Sequence, residues 1–243
     1  LAGAGASLRN DVVTTVLFDV GTGAVINAQS IAIDAGSVYR KPVLTGGADN
    51  IRGTTGGLAS GASAKSRTTI DFDTKVNIKD NARLTITGLE SNAGEFTVRA
   101  LNEIVAADKV SFVTGGALGS GVVADSSIKT VKDNASVIVG NSVVLTSPGT
   151  IEMSARGKGT VKTKTNADAL GGVVAVVDAS STSSISPVNQ ITVGTNSTIT
   201  ADGDVKMSVG TNTDFNRDQY AIEAITDSFA GAPILIDAVN SLA

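Results

Sequence analysis

This sequence predicts an all-β fold built as a repetitive β-solenoid, and three observations carry the prediction. The first is self-similarity: about four copies of a unit of roughly 57 residues fill the 243-residue chain. Leu1-Ala-Gly-Ala-Gly-Ala-Ser7 returns as Leu58-Ala-Ser-Gly-Ala-Ser-Ala64, and the doublet Gly56-Gly57 returns as Gly115-Gly116 and Gly171-Gly172. At one fixed offset Leu58, Ala64 and Ile70 fall on Val173, Ala179 and Ile185 without a gap. The second is period-two alternation of apolar and polar residues, the pattern of half-buried strands. The third is the quality of the apolar content. It makes up 42% of the chain, but aromatics are only 3% and Trp is absent, so Val, Ile, Leu and Ala must fill a narrow interior. Repeats of this kind bury their apolar faces against one another, so the expected shape is a single elongated array over residues 1–243. Its units run over about 1–57, 58–116, 117–172 and 173–228, with a partial unit over 229–243.

Each unit opens on a long strand after the glycine pair. In Leu58–Phe72, residues Leu58, Ser60, Ala62, Ala64, Ser66, Thr68, Ile70 and Phe72 share one face, while Lys65, Arg67, Thr69 and Asp71 share the other. Val173–Ile185 repeats this with Ala175, Val177, Ala179 and Ile185 inward. Gly-Gly doublets read as coil corners that need positive φ. Next comes a pair of short strands about a tight turn. Ser197–Ala201 leads through Asp202-Gly203 into Asp204–Val209, and its relatives are Ala24–Ala28 with Ile31–Ile33, Arg83–Ile86 with Phe96–Val98, and Val143–Leu145 with Ile151–Met153. The turns between them vary: Gln29-Ser30, Gly88 to Glu95, Ser147-Pro-Gly-Thr150 and Asp202-Gly203, as loops at the rim of a stack do. The last portion, over 36–55, 99–114, 155–170 and 210–228, is the least alike. Arg99–Lys109 places Leu101, Ile104 and Val105 at helical spacing and admits a helical turn or two, whereas Tyr220, Ile222 and Ala224 alternate like a strand.

Three coils of about 19 residues per unit match the usual rung of a parallel β-helix, and two wider coils of about 28 are the alternative. Antiparallel hairpin repeats compete, because Asp202-Gly203 is also a good hairpin turn.

The string Gly-Gly-x-x-Ala-x-x-x-Ala-Ser at 171–180, followed by Ile-Thr-Val-Gly-x-Asn-Ser-Thr-Ile-Thr-Ala-Asp-Gly-Asp-Val-x-Met-Ser-Val at 191–209, resembles the repeats of very large secreted bacterial filamentous adhesins. These include leukotoxin-type adhesins and haemagglutinins exported by two-partner secretion. The resemblance covers the whole chain through composition and repeat grammar, and it implies a right-handed parallel β-helix at the bacterial cell surface. The secretion-signal domain of that family is not among these residues, and Val143–Met153 carries Ser-Pro-Gly in place of Asp-Gly.

Composition narrows the chemistry. With no Cys and no His, thiolate chemistry, disulfides, the Ser-His-Asp relay and imidazole metal ligands have no residues to use. A net charge of −4 and a pI near 4.8 speak against nucleic acid, which needs a concentrated basic face. No apolar run approaches the roughly 20 residues of a membrane span. Paired carboxylates come next, because β-helices also host polysaccharide-cleaving enzymes. Asp71 with Asp73, at i and i+2 on one strand face, is one candidate acid–base pair, and Asp202 with Asp204 is another. Sugar sites favour stacking rings, and Tyr39 and Tyr220 are the only tyrosines. For Ca2+, the turn carboxylates Asp19, Asp80, Asp133, Asp202 and Asp204 are candidates, Asp202 and Asp204 foremost, although neither the β-roll nonapeptide nor an EF-hand loop occurs. Arg156, Lys158, Lys162 and Lys164 alternate along one strand and offer a face for an anionic glycan, or a lysine-rich face that discourages edge pairing. The patterns Asn134-Ala-Ser136 and Asn196-Ser-Thr198 match N-glycosylation acceptors but are expected by chance in so Asn- and Thr-rich a chain.

The sequence opens at Leu1 in mid-repeat and closes inside a new unit, and neither end reads as a polar cap. Its expected partners are therefore further repeats of a longer array or copies of itself end to end, with surface glycans a further possibility. The function expected is a structural, non-enzymatic and cofactor-free segment of an extracellular bacterial surface filament or adhesin. The alternatives are a glycan-binding adhesin module and a β-helical polysaccharide-degrading enzyme.

Overall fold

The computed structural model describes residues 1–42, 49–88, 95–210 and 219–243. Among these residues it is all-β, with no helix and 82% strand. In chain order the strands are β1 (Ala2–Val20), β2 (Val25–Ala28), β3 (Ile31–Lys41), β4 (Ile51–Ile78), β5 (Arg83–Ile86), β6 (Phe96–Val139) and β7 (Val144–Ser147). There follow β8 (Ile151–Gly171), β9 (Val174–Ser184), β10 (Pro187–Val193), β11 (Thr198–Ala201), β12 (Val205–Val209), β13 (Tyr220–Gly231) and β14 (Ile234–Leu242). The short strands β11, β7, β5 and β2 form a sheet of four, and the other ten strands belong to one large sheet.

Every pairing among the described residues is parallel, which removes the hairpin alternative. Asp202-Gly203 is a corner between sheets: β11 before it pairs with β7, and β12 after it pairs with β8. The stretch expected to admit a helix, Arg99–Lys109, is strand throughout and lies within β6. Its Leu101 and Val105 face outward while Ala100, Ile104 and Ala106 are buried, so period two wins over helical spacing. Tyr220, Ile222 and Ala224 lie in β13, as the alternation suggests. The turn between Gly88 and Glu95 falls on 89–94, outside the described residues, as do parts of the least-alike portions.

Coils of 19 or 28 residues are not what forms. Ala2 pairs with Ser60, Ile31 with Phe96, Phe96 with Ile151, Ile151 with Val205 and Val174 with Ile234, so each strand lies against its counterpart one whole repeat away. One repeat therefore makes one layer, and matching positions form ladders through the layers. Ala6, Ala64, Ala124, Ala179 and Val239 are one ladder. Ile31, Phe96, Ile151 and Val205 are another. At about 3.3 Å per residue β1 extends for about 60 Å, whereas layers about 4.8 Å apart rise only about 20 Å over four repeats. The described body is a slab whose long dimension runs along the strands, not a thin rod along the stack.

The core runs between the long strands in three clusters. At one end Val76, Ile78, Leu84, Phe96, Val98, Val137, Leu145, Ile151 and Met153 pack behind the four-stranded sheet. Ile70, Phe72, Ile104, Ala106, Ile128 and Val161 fill the middle. Ala62, Ala64, Phe112, Val122, Ala124, Ala167, Ala175, Val177 and Ala179 close the far end with smaller side chains. The inward set expected in Leu58–Phe72 is buried from Ser60 onward, but Leu58 is 66% exposed. A register shift between Gly57 and Ala59 turns it out at the corner, as it does Leu118 in the next layer.

The Gly-Gly doublets do not adopt positive φ. Gly56, Gly57, Gly115 and Gly116 are extended strand residues. What some of the doublets need is room: a Cβ on Gly116, Gly171 or Gly172 would overlap the carbonyl oxygens of Gly119, Val174 and Ala117. Four left-handed residues are at the opposite end of the slab, where Gly23, Asn81, Ser142 and Asn196 occupy the same corner in successive layers with φ of 68, 61, 56 and 58°; Gly210, just after β12, is also left-handed at 67°. Gly and Asn tolerate that conformation best. The corner backbones are bonded through the stack, Gly23 N to Asp80 O at 2.9 Å, Asn81 N to Asn141 O at 2.9 Å and Ser142 N to Thr195 O at 2.9 Å.

A second irregularity resets the core. Ile70 pairs with Thr130 but Asp71 with Lys132, so Val131 is an extra residue in β6, 66% exposed. The bulge switches the inward set from Val122, Ala124, Ile128 and Thr130 to Asp133, Ala135, Val137 and Val139. Without it Lys132 would face the interior.

Candidate functional site

The alternating basic residues lie where their spacing puts them. Arg156, Lys158, Lys162 and Lys164 all face outward from β8, between buried Ala155, Val161 and Thr163. Adjacent layers supply acids against them. Lys158 Nζ lies 3.0 Å from Glu103, which also takes Arg40 at 3.1 Å, so three layers share one chain of charges. Lys162 lies 2.9 Å from Glu223. Hydrogen bonding from Lys158, aided by its charge and that of Arg40, holds the Glu103 carboxyl below its ordinary pKa despite partial burial. A second chain of this kind runs from Arg99 through Glu152 to Lys206, each step at 3.9 Å. Lys158 and Lys162 of the stripe are therefore charge-matched by acids of the neighbouring layers. A shallow depression of about 390 Å³ lies beside the stripe, bordered by Glu103, Val105, Arg156, Lys158, Thr160 and Gln219.

The turn carboxylates act on backbone and lysines. Asp80 Oδ1 accepts the Asn141 N–H of the next layer at 2.7 Å, and Asn141 Oδ1 in turn accepts the Thr195 N–H at 2.9 Å. Asp19 accepts from Lys79 at 2.7 Å and from Asn77 at 3.0 Å, and the Lys79 hydrogen bond leads in lowering its pKa. Asp202 and Asp204 are exposed, and Asp204 has the Lys206 ammonium 4.0 Å away, where a cation would have to compete with it. Among the described residues no three His, Cys, Asp or Glu side chains converge as a metal site would require. Of the carboxylate pair on β4, Asp73 is tied to Lys75 at 2.8 Å and Lys132 at 2.7 Å. Burial works to raise its pKa, but those two hydrogen bonds outweigh it and hold the group ionised. A general acid needs the opposite shift.

Asp133 is not at a turn. It is buried in mid-strand, 1% exposed, because the Val131 bulge rotates it inward. There it accepts from Asn102 Nδ2 at 2.8 Å; Asn102 Oδ1 accepts from Thr74 at 2.6 Å, and Thr74 meets Ser37 at 2.6 Å. Burial raises the Asp133 pKa, opposed only by the Asn102 bond, and its Oδ2 is buried without a partner.

Compared with family models, curated proteins and solved structures, the chain matches none. Its chemistry has to be read from the residues themselves.

The interior polar groups are what sequence reasoning missed. Lys41 reaches in from the end of β3 to Asp108 at 3.0 Å and Thr68 at 2.9 Å, and Ser126 donates to the other Asp108 oxygen at 2.9 Å. Burial chiefly, and then the Asp108 charge, raise the pKa of nearby Tyr39. In the next layers Thr163 meets Ser183 at 3.0 Å, and Ser181 donates to Thr165 at 2.9 Å. Facing strands are thus stitched across the slab by hydroxyls where aliphatic side chains would have to be longer. The signal was present, because Asn102, Asp108, Thr163 and Thr165 sit at inward phase of an alternating strand.

Proposed function

We propose that the chain is a structural, non-enzymatic segment of an extracellular bacterial surface filament or adhesin, a right-handed parallel β-helix with one repeat per coil. The observation that carries this reading is the register: successive repeats lie on one another residue for residue, so each layer is the template for the next. Backbone ladders run along the stack and resist pulling, and the charge chains on the flanks pair acids of one layer with bases of its neighbours. The sites considered for chemistry are occupied by such work, Asp73 by two lysines and Asp80 by a turn amide. No described helix is long and apolar enough to cross a membrane.

The depression beside Arg156 and Lys158 supports a second reading, a binding face for anionic surface glycans. Its test is a glycan array probed with wild type and with Arg156, Lys158, Lys162 and Lys164 neutralised; binding that disappears in the variant supports that reading. The structural reading is tested by electron micrographs of the source cells labelled with gold-tagged antibody to this chain. Labelled filaments outside the cell, with a reflection near 4.8 Å along the filament axis, are expected. Label confined to the cell interior, or to compact particles, overturns it.

A further inference from the structure

The first and last layers carry uncovered strand edges and uncovered apolar side chains. On one end face Leu17, Phe18, Val25 and Ile26 are exposed; on the other, Val193, Val205, Met207 and Val209 are. Repeat-to-repeat register dictates what would cover them. Phe18 is in ladder with Val76, Val137 and Ile191, Ile26 with Leu84, Leu145 and Ile199, and Ile33 with Val98, Met153 and Met207.

We infer that a second copy of this chain docks on the last layer, setting its Thr14–Val20 on Pro187–Val193, its Val25–Ala28 on Thr198–Ala201 and its Ile31–Ala35 on Val205–Val209. This rests on the structural reading above and gives it a partner and a register. Charge supports the same alignment. The incoming Arg40 arrives over Ala221, two residues from Glu223, and the incoming Asp34 over Ser208, two residues from Lys206. Within the chain Arg40 bridges Glu103, two residues before its register partner Val105, so it reaches Glu223, two residues after Ala221, by leaning the other way along the strand.

One segment has to give way. The edge of β9 that the incoming Ala2–Arg9 would take is held by β14, since Leu235 pairs with Ala175 and Leu242 with Thr182. The incoming Leu1–Arg9 leaves, because it is rich in Gly and Ala and largely exposed, whereas β14 brings Ile234, Leu235, Ile236, Val239 and Leu242. The free edge of β14 then fills the vacated place. Leu235–Leu242 lies against Ser60–Arg67 of the incoming copy, where Ala2–Arg9 was. The result is a head-to-tail strand exchange, a non-closing contact that repeats.

The test uses the full chain. Sedimentation velocity at rising concentration should show association, and Glu223→Arg or Arg40→Glu alone should weaken it about tenfold by setting like charges together. Mixing the two variants should restore it, since each then meets its opposite. Hydrogen exchange on the assembled material should show residues 2–9 losing protection while 14–35 and β14 gain it. A chain that stays monomeric, variants that do not complement, or residues 2–9 that stay protected on assembly would each overturn the inference. Small-angle scattering keeps this separate from the structural reading. Slab-shaped monomers that never associate sink the docking alone, whereas a compact, isotropic monomer sinks both.

Discussion

At the scale of single residues, the interior of this protein is unusual for how much of it is polar. Ser66, Thr68, Thr74, Asn102, Asp108, Thr163, Thr165, Ser181 and Ser183 are all buried. Most bond across the slab to the facing strand, which keeps their burial from being costly. Lys41 and Asp108 show how tight the balance is, because either one alone would be a stranded charge. The Ser66 hydroxyl is buried without a partner, and Asp133, also buried, has one oxygen unpartnered and a raised pKa. The sign of its contribution follows. Below about pH 3.9, the ordinary value for Asp in an unfolded chain, the carboxyl is protonated in both states and its stabilising share is fully present. As pH rises, the unfolded chain releases its proton first, so the folded state loses stability on approach to the raised folded value. Asp133→Asn keeps an acceptor for Asn102 and removes the ionisation. Urea midpoints of the variant and wild type should coincide near pH 3.5 and diverge in the variant's favour by pH 7. A variant that gains nothing at pH 7 would show that Asp133 is ionised at no cost.

At the scale of elements, what the chain needs from glycine is separable into two kinds. Where Gly172 passes Ala117, a methyl group would meet a backbone carbonyl that has no room to retreat, and Gly172 N also bonds Gly116 O at 2.9 Å. Gly61, outward on β4, has nothing within contact range. Gly172→Ala should therefore lose about 1–3 kcal/mol through overpacking. Gly61→Ala should be neutral or gain about 0.4–1 kcal/mol by restricting the unfolded chain. Urea unfolding of the two variants checks both, and equal effects would contradict the crowding. The same elements mark what could be read in the sequence. Period two placed Ala62, Ala64, Ile70, Phe72, Ala175, Val177 and Ala179 correctly, because a strand with one buried face leaves no other arrangement. The repeat offset placed Ala64 over Ala179 for the same reason. Coil length escaped, since alternation fixes which side a residue faces but not which strand lies beside it. Asp133 escaped because a bulge shifts the phase by one residue and leaves no mark in composition. The corner positions Asn81, Ser142 and Asn196 also escaped, hidden by a site that changes identity from layer to layer while its φ stays positive.

At the scale of the whole molecule, the layers are not equivalent even though they share one repeat pattern. Strands of the inner layers, along most of β4, β6 and β8, are bonded on both edges, whereas β1 has only β4 and β14 only β9. Their side chains follow suit: Phe72 is 1% exposed, but Phe18 in the first layer is 43% and Val239 in the last is 50%. In an array whose stability is a sum of unit and neighbour contributions, the outermost units have lost one neighbour contribution and open first. Hydrogen exchange on the monomer should accordingly be graded by layer and not by distance along the chain. Amides of 70–78 and 96–112 should be slowest, and those of β1 and β14 faster by orders of magnitude, although they stand at opposite ends of the sequence. Uniform protection from β1 to β14 would mean that the slab opens as one cooperative block, and the layer would then not be its unit of stability.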